Sequence, residues 1–124
     1  MSNNLISQPL PPEGQSLEYK LRSTRPEILA RAIAAFANTE GGKIIVGVND
    51  DGLVVGLTEE EIGKTQIAVE KALGFLRPCP LLNLHLEELD GKNLMVIEVP
   101  KTSVAPVLTE NGRFYVRRGA VSVF

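Results

Sequence analysis

The stretch Ala35–Gly52, AFANTEGGKIIVGVNDDG, constrains the chain more than any other. Ile28, Leu29, Ala32, Ile33 and Phe36 recur at helical spacing, which predicts a helix that stops near Asn38 with Gly41 and Gly42 just beyond it. The β-branched run Lys43–Val48 then reads as a buried strand, and Asp51-Gly52 turns it into Leu53–Leu57 as a hairpin. A loop that wraps a nucleotide phosphate has the opposite order, strand, glycines and then a helix N-terminus whose backbone donors face the anion. Here the glycines follow a helix C-terminus, the dipole end that repels anions. Lys43 is also followed by Ile44 where such a loop needs Ser or Thr. The glycine pair therefore reads as a helix cap and a tight crossing into a central strand.

The rest of the chain supplies partners for that unit. Residues 1–12 carry three prolines among small polar residues and read as an extended arm, with one domain over residues 13–124. Leu17, Tyr19 and Leu21 alternate with Glu18, Lys20 and Arg22, the period-2 pattern of a half-buried strand. Thr24 with Glu27 around Pro26 predicts a capping box for the first helix. Thr58 with Glu61 predicts one for a second helix running to about Leu76. Leu82, Leu84 and Leu86 alternate in the next strand, which Asp90-Gly91 turns into Asn93–Val99. A last hairpin pivots on Asn111-Gly112, between Val107–Thr109 and Phe114–Arg117. This order predicts an α+β fold, a mixed β-sheet with two main helices packed on it.

Composition narrows the function. At 124 residues, with 44% hydrophobic and 23% charged residues, the chain has the balance of one globular domain. A formal charge of −2 gives no global basic field, so nucleic acid could be held only at a local patch. One cysteine, Cys79, and one histidine, His85, exclude a Cys/His zinc finger, while a hard cation on carboxylates stays open. No apolar run reaches the roughly 18 residues of a membrane span, and the first residues lack the pattern of a signal peptide, so a cytoplasmic location without a membrane partner is expected.

Three blocks, EGQSLEYK (Glu13–Lys20), AFANTEGGKIIVGVNDDGLVVGL (Ala35–Leu57) and RFYVRRGAVS (Arg113–Ser122), resemble the Schlafen-type AlbA domain family, also labelled divergent AAA. The resemblance implies an AlbA-like Schlafen fold and binding of nucleic acid, DNA or RNA, with a regulatory role. It also carries an alternative, since some Schlafen proteins are metal-dependent endoribonucleases that cut tRNA and rRNA. Their two glutamates in an E-x4-E arrangement correspond to Glu13 and Glu18, and their aspartate to Asp50. In that reading these three are both the catalytic residues and the ligands of Mg²⁺ or Mn²⁺, which would activate a water and offset charge on the phosphate. Asn49 departs from the usual aspartate beside it. A third reading is a regulatory or assembly module with no nucleic-acid role.

Spacing alone does not bring the trio together, because residues five apart face opposite sides of a strand and lie about 140° apart on a helix. Each member has an ordinary alternative: Glu13 solvated in the arm, Glu18 paired with Lys20 or Arg22, and Asp50 in a turn. Lys20, Arg22, Lys43, Arg117 and Arg118 are the candidate phosphate contacts, and their alternative is a solvated surface. Tyr19 and Tyr115 read as packing residues, His85 as solvent-facing and Cys79 as a packed loop residue. The Schlafen core resembles two such lobes forming a clamp around RNA, so a homodimer is expected of a single-lobed chain.

Overall fold

A computed structural model describes residues 10–22, 24–103 and 106–124. The elements follow as β1 (Leu17–Lys20), α1 (Pro26–Ala37), β2 (Gly42–Val46), α2 (Glu59–Gly74), β3 (Asn83–Leu89), β4 (Lys92–Val99), β5 (Val116–Arg118) and β6 (Val121–Val123). The first four strands form one sheet in the order β1-β2-β4-β3, and β5 and β6 form a separate hairpin. β1 runs parallel to β2, while β2 and β3 both run antiparallel to β4, so the sheet is mixed, as expected.

Side-chain alternation divides the sheet into two faces. Ile44, Val46, Met95, Ile97 and Val99 face α1 and α2 and form the main core with Phe36, Ile33, Val69, Ala72 and Leu76. Ile45, Leu94, Val96 and Tyr19 face the other way, where Leu10, Leu17 and Val54 pack on them in place of a helix. The two strands between the edges, β2 and β4, are thus buried on both faces, which explains their near-continuous apolar runs.

α1 is buried far more than a surface helix. Eight of its 12 residues are buried, including Ala30, Ala32, Ala34, Ala35 and Ala37. The reason is that α1 contacts β2 and β4 on one side, α2 on another, and the β5–β6 hairpin as well. Small alanine side chains allow those close approaches, and a helix apolar all round is a buried helix.

The glycine pair acts as the sequence suggests. Gly41 has φ of +76° and its N–H donates to the Phe36 carbonyl at 2.7 Å, closing the helix. A Cβ on Gly42 would lie 2.6 Å from the Phe36 ring and 2.8 Å from the Ser16 carbonyl, so only glycine lets β2 cross there. Asp90 and Gly91 both have positive φ and form the expected turn between β3 and β4.

Four local expectations change. α1 has Arg25 as N-cap with no side-chain cap bond, because Pro26 takes the first helical position and Thr24 falls one residue outside. α2 has the predicted Thr58–Glu61 capping box but ends at Gly74 rather than near Leu76. Leu53–Leu57 keeps only a single bridge, Val48 to Val54, because the Asn49 carboxamide accepts from the Asp51 and Leu53 amides and closes a wide turn. The Asn111-Gly112 turn likewise joins only Leu108 to Phe114, and the hairpin proper is β5–β6.

Candidate functional site

The three sequence blocks meet in space around Arg117. Its side chain is fully buried, with Nη1 2.5 Å from Glu18 Oε1, and its guanidinium carbon lies 4.5 Å from the centre of the Phe36 ring. Its remaining donors reach the carbonyls of Gly14 (3.1 Å) and Leu17 (3.2 Å) and the hydroxyl of Ser122 (3.2 Å). The other Glu18 oxygen takes an ion pair from Lys20 at 2.9 Å. Arg117, expected to touch phosphate, is therefore an interior residue, because burial among these acceptors leaves it no surface to offer.

The AFANTEGG block completes the attachment of the C-terminal hairpin. Asn38 donates from Nδ2 to the carbonyls of Val107 (2.8 Å) and Tyr115 (2.9 Å) and accepts the Val107 N–H at 2.7 Å. The Thr39 hydroxyl donates to the Ala35 carbonyl at 2.8 Å and accepts the Arg117 N–H at 2.9 Å. Gln15 donates to the Arg117 carbonyl and accepts from the Gly119 amide, tying the hairpin to the segment before β1. The family-like residues are, in this respect, a latch between chain segments about a hundred residues apart.

The acidic trio is not gathered. Glu13 accepts the Tyr19 N–H on its carboxylate at 2.7 Å, Glu18 is held by two cations, and Asp50 is exposed in the turn after Asn49. Among the described residues no group of three or more His, Cys, Asp or Glu side chains is arranged to hold a metal ion. These residues do not fit a divalent cation: the central carboxylate already faces two positive charges, where a metal would need its free oxygens.

The exposed cations fall on two different faces. Glu18 and Lys20 project to the helix side of β1, with Ile44 and Val46 beside them in register. There a groove of 240 Å³ opens between β1, α1 and the β5–β6 hairpin, lined by Glu18, Lys20, Ile28, Arg31, Ala32 and the Ala120–Ser122 segment. Arg22 and Arg118 are exposed, two residues from Lys20 and Ala120 respectively. Because Arg117 cancels the charge of Glu18, Lys20 and Arg31 leave the groove net positive. Lys43 projects to the opposite side of the sheet with Ile45. It lines a larger hollow of 510 Å³ beside Glu40 and Glu98, whose two carboxylates disfavour an anion there.

Arg31 escaped the sequence reading because it sits among helix residues with no strand pattern or motif to mark it. Its guanidinium lies 6.0 Å from the centre of the Tyr115 ring, which directs it toward the hairpin. The remaining readings divide: Tyr19 and Tyr115 are buried as expected, His85 is half-buried against Glu87 rather than solvent-facing, and Cys79 is exposed rather than packed.

The fold and sequence have relatives. The DIP2311 protein of Corynebacterium diphtheriae superposes with a TM-score of 0.67 at 23% identity, over 88% of this chain and 22% of that one. The chain thus spans about a fifth of that protein's length. The N-terminal domain of a Nitrosomonas europaea protein, named as related to the ATP-dependent DNA helicase RecG, superposes with a TM-score of 0.58 at 22% identity. That match covers 83% of this chain and 76% of the domain. The profile of the family described as Schlafen, AlbA_2 matches residues 13–123, nearly the whole latch-bearing domain, and the chain belongs to that family.

Proposed function

We propose that this domain binds nucleic acid through its sugar-phosphate backbone, at the groove lined by Lys20 and Arg31, with Arg22 and Arg118 extending the contact. The observation that carries this reading is the groove's excess positive charge in a chain of net charge −2. Point charges of this kind suit phosphate contacts that are independent of sequence. The family and the resemblance to a domain from a RecG-related protein support the same class of partner. Lys43 lies on the other face and is left out of the contact.

We further propose that two copies pair through β3. Support comes from its position at the edge of the sheet, from Leu86, which is 50% exposed, and from the lack of lysine or proline along Asn83–Leu89. With Leu86 on the two-fold axis of an antiparallel pair, His85 falls opposite Glu87 of the partner subunit.

The nucleic-acid reading is tested by mobility shift with tRNA, hairpin RNA and duplex DNA in EDTA, at several salt concentrations. Salt-sensitive shifts that weaken in Arg31→Ala are the expected result. Full-length substrates that never shift at low salt would favour the assembly-module reading instead.

A further inference from the structure

We infer that Arg117 is the resident counter-cation of Glu18, and that this carboxylate is thereby closed to a divalent metal. Glu13 and Glu18 then serve folding rather than phosphodiester chemistry. Both oxygens of Glu18 are taken, Oε1 by Arg117 at 2.5 Å and Oε2 by Lys20 at 2.9 Å. A hard cation needs carboxylate oxygen at about 2.0–2.6 Å, which would set it directly against two existing positive charges. The lysine can swing into solvent, since its side chain is 25% exposed. The arginine cannot, because the Phe36 ring, the Gly14 and Leu17 carbonyls and the Ser122 hydroxyl fix it in place.

Withdrawing Glu18 toward a metal would leave that guanidinium buried without its counter-charge. Such a loss is comparable to the whole return of a weak oxygen-ligand site and leaves little net binding. The other two acids give no help. The Glu13 carboxylate holds the Tyr19 amide at the middle of β1, and Asp50 stands in solvent on a turn of β2. The E-x4-E spacing is explained without a metal: Glu13 secures the strand backbone, and Glu18 receives the arginine that anchors the hairpin.

The test is a Mn²⁺ titration of wild type, Glu18→Gln and Asp50→Asn, followed by electron paramagnetic resonance, with thermal unfolding run in EDTA and in Mn²⁺. Wild type is expected to show no saturable site tighter than about 0.1 mM, the lower bound of weak oxygen sites. Glu18→Gln is expected to melt about 10 °C lower than wild type, by the same amount in EDTA and in Mn²⁺. A saturable site in wild type that disappears in either variant would overturn the inference, and Asp50→Asn keeps that outcome readable if Glu18→Gln folds poorly. A Glu18→Gln protein that melts with wild type in EDTA would overturn it equally. Nucleic-acid binding, measured in EDTA, is independent of either result.

Discussion

Arg117 and Arg118 are neighbours in the sequence with opposite fates. Strand alternation requires that one point inward and one outward, yet nothing in RFYVRRG says which, because the choice depends on Glu18 waiting on β1. Glu18→Gln strands a fully buried guanidinium and should cost about 3–5 kcal/mol in urea unfolding, while Arg117→Met, which leaves Glu18 paired with Lys20, should cost less. The double variant should cost well under the sum, since the second change removes the charge that the first one stranded. Additive losses would mean that the pair is not the source of the stability. Tyr19 gives a second test. Its hydroxyl donates to the Pro11 carbonyl, and burial, with the Glu13 charge behind it, pushes its pKa above the ordinary 10.0. A raised value favours the neutral phenol, so its contribution is complete below the unfolded pKa and is lost as pH rises through the folded one. Tyr19→Phe should flatten the alkaline limb of stability against pH.

Helix ends show how much local chemistry can be read in advance. Thr58 and Glu61 form the capping box that their spacing predicts, with the Thr58 hydroxyl accepting the Glu61 amide and the Glu61 carboxylate accepting the Thr58 amide. Thr24 and Glu27 have the same spacing and form none, because Pro26 fixes where α1 begins. Thr58→Ala should therefore cost about 1 kcal/mol in chemical unfolding, while Thr24→Ala should be near neutral. The bonds to Thr58 also lower the Glu61 pKa, so this cap is intact at neutral pH and fails as pH falls through the folded value. At the other end of α1, Gly42→Ala meets the Phe36 ring and the Ser16 backbone and should cost about 1–3 kcal/mol. The C-terminal hairpin was the least legible element. It is held in place by Thr39 and Gln15, residues far away in sequence, while the Asn111-Gly112 turn that the sequence marks joins only Leu108 to Phe114.

For the molecule as a whole, the alternating strands and the two helices were legible because their periodicities reflect a single core. The site was only partly so. Cations can be counted in a sequence, but their distribution over two sheet faces follows from the β1–β2 register, which separates Lys20 from Lys43. Pairing through β3 predicts a dimer in sedimentation velocity at micromolar concentration, and Leu86→Lys should make it monomeric by placing like charges across the axis. A wild-type monomer would remove that reading while leaving the groove untouched. The most direct measurement of the central claim is fluorescence anisotropy of a labelled hairpin RNA and duplex DNA in EDTA, comparing wild type, Arg31→Ala and Lys43→Ala across a salt series. The groove predicts salt-dependent binding, weakened in Arg31→Ala with the slope of log K against log salt reduced by about 1, and unchanged in Lys43→Ala. Binding that resists salt, or that falls with Lys43 and not with Arg31, would contradict it.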